Sequence, residues 1–250
     1  MKFVSLTLLT LTILDFSAKG SAQILNDSRQ VLVISGMTQE SGIAKGPGVV
    51  NVLSGGDLAI LTDRLQHIDP KTIRAVVSFG VAGALDPRLT FGDVVVSSSV
   101  TTDTGEKFAT DSHLSMRIST ILTNGGLKVY SGPMYSTTVE QDDASGKLAI
   151  FGSSGAISVD MESNGAAEFA SKYGLPLVVL RTISDPQTFT LPSVVKRAIN
   201  PDGTLNISEV IGGLLAHPSE ISALVTTAEG SERAFHSLRV CRMLVNLGSL

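Results

Sequence analysis

Five short runs of mainly β-branched residues constrain this chain more than any other feature. They are VLVIS (31–35), VVNVL (49–53), RAVVSF (74–79), DVVVSSSV (93–100) and PLVVLRTIS (176–184), bounded by Gly, Pro or Asp. A continuous apolar run has no face to offer water, so each predicts a strand covered on both sides, as in an α/β sheet with helices packed against it. Helical spacing falls between the runs. Leu58, Leu61, Leu65 and Ile68 share one face of DLAILTDRLQHI (57–68). The Ala-rich MESNGAAEFASKYG (161–174) stops at Gly174, with Pro176 just beyond. The tail, 206–246, reads as two amphipathic helices broken at HPS (217–219).

Composition narrows the function classes. Apolar residues make up 43% of 250 and charged residues 17%, enough for a large core and too apolar for disorder. The net charge is −4 with no Lys/Arg block, which argues against a nucleic-acid surface. Cys241 is the only cysteine, so an intramolecular disulfide and a cysteine-based zinc cluster are excluded. His67, His113, His217 and His236 show no metal-ligand spacing.

The first 24 residues stand apart. One early lysine, an apolar run over 3–14 and small residues ending at Ala22 follow the grammar of a secretory signal peptide. The run is too short to anchor in a bilayer. Its threonines and Asp15 fit the alternative of a misassigned start codon equally well. Residues 25–250 then form one domain with a C-terminal helical extension, since no repeat or long linker divides them.

Chemistry in α/β sheets gathers beyond the carboxyl ends of strands. Glu40 follows VLVIS and a Gly turn, Gly80 and Gly83 follow RAVVSF, Asp185 follows the last run, and Glu162 opens a helix. Taken singly, each has an ordinary reading. Two glycines three apart make a turn, Asp185 before Pro186 starts one, and Asp160 with Glu162 complements a helix dipole. Taken together, the strand ends bring Glu40, Glu162 and Asp185 toward one pocket.

Two segments, GVAGALDPRLTFGDVVV (80–96) and VDMESNGAAEFASKYGLPLVVLRTISD (159–185), resemble the signatures of the purine nucleoside phosphorylase and methylthioadenosine/S-adenosylhomocysteine nucleosidase superfamily. ISGMTQE (34–40) resembles the nucleosidase segment whose last Glu activates water. GMTQESGIAKGPGV, SDPQTFTLPSVVKRAINPDGTLN and AFHSLRVCRML are most similar to the hopanoid-associated phosphorylase branch. The resemblance implies a three-layer nucleoside phosphorylase-like fold with a central mixed sheet flanked by helices. It also implies cleavage of the N-glycosidic bond of an adenine nucleoside, adenosylhopane in that branch. Inorganic phosphate is a candidate co-substrate, and no cofactor is implied.

By the same resemblance Asp185 protonates the base and Glu40 positions or deprotonates water. Glu162 accepts from ribose hydroxyls, Met161 packs on the sugar, and Gly80, Val81 and Gly83 bring the backbone close to it. Arg181 organises the base side or forms a structural ion pair. Val139 falls near the position that usually stacks on the base, with Tyr135 as the nearby aromatic. The chain departs from phosphorolytic members where Val81 replaces a Ser and Ser78 an Arg, so the phosphate clamp is incomplete unless Lys45, Ser54 and Gly55 substitute. Phosphorolysis and hydrolysis both stay open. So do a soluble methylthioadenosine-type nucleosidase and a non-catalytic nucleoside-binding relative. The expected partners are a lipid-linked nucleoside, a transient membrane contact and further copies of the chain. The expected location is the cytoplasm, or outside the cell if the leader is real.

Overall fold

The structure is a computed structural model and describes residues 27–139, 141, 143–190, 206 and 221–250. All five predicted strands are present. In chain order the elements are β1 (Gln30–Ser35), α1 (Thr38–Ala44), β2 (Val49–Leu53), α2 (Leu58–Gln66), β3 (Ile73–Ala84), β4 (Val94–Thr102) and β5 (Lys107–Ala109). They continue with α3 (Ser112–Asn124), β6 (Val129–Ser136), α4 (Ala144–Ser154), β7 (Ser158–Asp160), α5 (Ser163–Tyr173), β8 (Leu177–Asp185) and α6 (Ile221–Leu244).

Alternate residues of the apolar runs face opposite layers. Val31, Val33, Val77, Phe79, Val178 and Leu180 pack with Ile118 and Leu122 of α3 and with Phe235, Leu238 and Cys241 of α6. Leu32, Ile34, Val76 and Val179 pack instead with Leu61 and Leu65 of α2 and Ala166, Ala167, Phe169 and Ala170 of α5. This is the expected mixed sheet between helical layers. β1 pairs in parallel with β2 and β3, β3 with β8, and β4 with β6, while β4 runs antiparallel to β5 and β8. β7 lies parallel to β6 and antiparallel to the end of β3. The pairings β3–β8–β4–β6–β7–β3 therefore close a ring of five strands, which leaves β2 and β5 at the ends of the strand order. Closure forces the ends of β3, β7 and β8 together.

Several expectations need correction. RAVVSF does not end at Phe79, because β3 runs on through Gly80 and Gly83 to Ala84. Neither glycine lies in a turn or has a positive φ. Asp185 is the last residue of β8 rather than the first beyond it. Glu40 does not simply follow a Gly turn, because it sits inside a short helix, α1, for which the sequence shows no helical period. The described part of the tail is one helix, 221–244, and the expected break at 217–219 lies outside the described residues. From Ala234 to Leu247 that tail covers the sheet with buried apolar side chains.

Helix α5 carries Glu162 at its N-cap, so its seating matters to the site. A Cβ added at Gly165 would lie 2.6 Å from Leu61 Cδ2 and 3.3 Å from Leu58 Cδ1 of α2. Leu61 has no exposed surface and little room to yield. Helix propensity alone makes Gly165→Ala stabilising by about 1 kcal/mol. The overlap is expected to reverse the sign, with a net loss of about 1–3 kcal/mol in denaturant unfolding. A stabilised variant would show that α2 and α5 are not in close contact.

Candidate active site

The centre of the site is Arg181, which has no exposed surface. It sits on β8 between β3 and β4, opposite Gly80 and Val95. One terminal nitrogen, Nη2, reaches Asp160 Oδ2 at 2.9 Å and donates to Ser78 Oγ at 2.5 Å. The other, Nη1, reaches Glu162 Oε2 at 3.2 Å and donates to the Val81 carbonyl at 3.2 Å. Burial opposes the guanidinium charge, yet Asp160, Glu162 and Glu40 together hold its pKa above the ordinary value. Asp160, at the end of β7, is fixed from its other sides. Ser136 Oγ donates to it at 2.7 Å, the Ser163 N–H at 3.2 Å, and the Ser163 hydroxyl also donates.

Glu40 is nearly as deep. Its Oε2 accepts from the N–H groups of Gly36 and Met37, both at 2.8 Å, and its Oε1 accepts from the Val81 N–H at 2.7 Å. The bond to Met37 also caps α1, because Glu40 is the third residue of that helix. Burial pushes the carboxyl pKa up against Arg181 and the three N–H groups. Glu162 accepts from Ser54 Oγ at 3.2 Å. Burial is also the largest effect on Glu162, opposed by Arg181 and reinforced by Asp160 and Glu40, and its pKa rises to about 7.

The glycines leave room for these carboxylates. A Cβ at Gly80 would meet Glu40 Oε1 at 2.4 Å and Arg181 Nη1 at 2.7 Å. One at Gly83 would lie 2.9 Å from Asp185 Oδ2, and one at Gly36 would lie 2.6 Å from Glu162 Oε1. The constraint is volume rather than backbone conformation.

Asp185 closes the far side of this strand cluster. Ser184 Oγ donates to its Oδ1 at 2.8 Å, and the ammonium of Lys147 in α4 pairs with its Oδ2. Burial pushes the Asp185 pKa up, while Lys147 and Ser184 pull it down. Gly80, Val81, Glu40, Glu162 and Arg181 thus form one contact network, while Gly83 lies against Asp185. Arg181 lies with Asp160 and Glu162 rather than against the chain after β8. Met161 is half-buried between Asp160 and Glu162. Val139 is 65% exposed and its N–H bonds Thr137 Oγ1. Tyr135 packs against Leu85, Ala156 and Val159. Lys45 is exposed, and Ser54 is taken up by Glu162 and the Gly56 N–H. Sequence reasoning missed Lys147, Ser136 and Ser163. No local pattern marks Lys147, and only strand pairing brings Ser136 beside Asp160. Among the described residues no group of His, Cys, Asp and Glu is placed to hold a metal.

Residues 63–199, more than half of the chain, match the model of the phosphorylase superfamily. The chain belongs to that superfamily, in agreement with the enzyme class expected of nucleoside phosphorylases and nucleosidases. No curated protein matches it. Among solved structures it is similar to the 5′-methylthioadenosine/S-adenosylhomocysteine nucleosidase of Helicobacter pylori, with 15% identity, 88% of this chain and 98% of that chain covered, and a TM-score of 0.65. The enzyme of the same description from Neisseria meningitidis gives 17%, 88%, 99% and 0.65. The futalosine hydrolase of Helicobacter pylori gives 14%, 87%, 99% and 0.61. These likenesses establish the nucleoside phosphorylase-like fold.

The raised pKa of Glu162 has a stability consequence with a definite sign. Folded protein keeps this proton where an unfolded chain, with the ordinary value of 4.5, has lost it. The group's contribution is complete below about 4.5 and is lost as pH rises through about 7. Glu162→Gln removes that dependence. Its melting temperature is expected to gain on the wild type as pH rises across this interval. Parallel curves would mean that Glu162 is ionised throughout.

Proposed function

We propose that this enzyme hydrolyses the N-glycosidic bond of an adenine nucleoside. The seat of Glu40 carries the reading. Converging backbone N–H groups form an anion site, and here those of Gly36, Met37 and Val81 are taken by the protein's own carboxylate. That arrangement supports a carboxylate base for water in place of a bound phosphate. The departures at Ser78 and Val81 from the phosphorolytic pattern agree with it.

Breaking the bond leaves positive charge on the ribose and negative charge on the base, through an oxocarbenium-like transition state. Glu162, held by Arg181 and Ser54, supplies negative charge and hydrogen-bond acceptors toward the sugar. Asp185, whose burial favours the protonated form, gives its proton to the base nitrogen N7 as the bond breaks. Glu40 accepts a proton from the attacking water. The products are free adenine and a sugar with a hydroxyl at its anomeric carbon.

The relatives of similar fold are named for methylthioadenosine, S-adenosylhomocysteine and futalosine, which supports a nucleoside carrying a 5′ substituent. Within that class we assign adenosylhopane, on the resemblance of residues 36–49, 184–206 and 234–244 to the hopanoid-associated branch. A cytoplasmic enzyme that touches the membrane briefly and assembles with copies of itself fits that substrate. Among the described residues no helix is long and apolar enough to cross a membrane.

Purified protein is expected to release adenine from adenosylhopane in detergent. Asp185→Asn should reduce kcat by about 10²–10⁴-fold with the fold intact. A variant rate within about threefold of wild type would remove Asp185 as the acid. Methylthioadenosine cleaved at equal or higher kcat/KM would replace the lipid nucleoside with a small one.

A further inference from the structure

Lys147 is an unusual residue to bury, and it has no exposed surface. It lies on the inner side of α4, one turn after the cap residue Asp143. Its ammonium pairs with Asp185 and donates to the carbonyls of Pro186 at 3.4 Å and Phe189 at 3.1 Å. An ammonium has three protons to donate, so all are used on the acid and the chain that follows it. Gln187 adds a second tie to the same helix, from Nε2 to the Ala144 carbonyl at 2.9 Å.

We propose that Lys147 is a positioning residue for Asp185: it fixes the carboxyl and the segment 186–189, and it is the counter-ion of the Asp185 carboxylate once that group's proton has left for the base. The inference rests on the reading of Asp185 as the acid. One proton moves from Asp185 to N7, the electrons of the glycosidic bond go to the base, and solvent later returns a proton to Asp185. A buried carboxylic acid without a counter-charge parts with its proton reluctantly. A cation against it makes it a stronger acid while burial still keeps water out. Burial and Lys147 act on Asp185 in these opposite directions. Among the described residues the charged groups facing Lys147 are Asp185 and Asp143. Asp143 is at the surface end of α4 and is occupied by the Ser145 hydroxyl and the Gly146 N–H.

The test is the pH profile of kcat for adenine release by wild type and Lys147→Met. Without the cation Asp185 becomes a weaker acid. The alkaline limb is expected to move up by about 1–3 pH units, and kcat at the optimum to fall by roughly tenfold. A folded variant with the wild-type limb would overturn the proposal, since a lysine that only ties down a loop leaves the titration of Asp185 where it was. If Lys147→Met does not fold, Lys147→Gln, which keeps donors without the charge, gives the same readout. Should the wild type release no adenine at any pH, the function proposed above fails on its own. The pH dependence of adenine binding by calorimetry then decides for Lys147, where an upward shift supports it and no shift overturns it.

Discussion

One guanidinium holds this site together. Arg181 has four partners on two strands and at a helix cap: Ser78 and the Val81 carbonyl on β3, Asp160 on β7 and Glu162 at the start of α5. Asp160, Glu162 and Glu40 are buried carboxylates. Leaving any of them unpaired at that depth is costly, and removing one partner of a buried ion pair typically costs about 3–5 kcal/mol. The cluster is therefore rigid for electrostatic reasons as well as packing ones. It is also imbalanced, with three carboxylates for one permanent cation. The imbalance is relieved by upward shifts in Glu40 and Glu162 and by the backbone N–H groups around Glu40. Groups poised in this way are what a site needs if it is to move protons near neutral pH.

The sheet makes the cluster possible. Five strands closed in a ring bring the ends of β3, β7 and β8 within contact of one another. Crowding at that point excludes side chains, and Gly36, Gly80 and Gly83 stand where a Cβ would strike a carboxylate or the guanidinium. Rigid elements fix every charged group of the cluster. Glu40 is on a helix capped by its own carboxylate, Asp160 and Arg181 are on strands, and Glu162 is a helix cap.

The strands were legible because burial on both faces leaves unbroken runs of β-branched residues, and RTISD announced both Arg181 and Asp185. The longer reach of β3 was not. Glycines after an apolar run ordinarily read as a turn, and nothing local says that Gly80 and Gly83 remain in the ladder to make room for neighbours. Helix α1 was hidden because TQESGIA is short and lacks an apolar period, its start being set by Glu40 bonding back to Met37. Strands β5, β6 and β7 were missed for related reasons. Two of them have three residues each, and YSGPMYS carries Gly and Pro inside a strand. Lys147 was out of reach of any pattern, since its partner is 38 residues away in the chain. The sequence reading of Glu40, Glu162 and Asp185 as neighbours rested on their places at strand ends and a helix start, and the resemblance added a role for each.

The occupation of the Gly36, Met37 and Val81 N–H groups by Glu40 sets water against phosphate as the nucleophile. Cleavage carried out in ¹⁸O-labelled water with phosphate present, followed by mass spectrometry of the sugar product, reads that choice directly. Hydrolysis gives a free sugar that carries one label at its anomeric oxygen. An unlabelled sugar 1-phosphate would mean that phosphate, not water, is the nucleophile and that Glu40 is not its base.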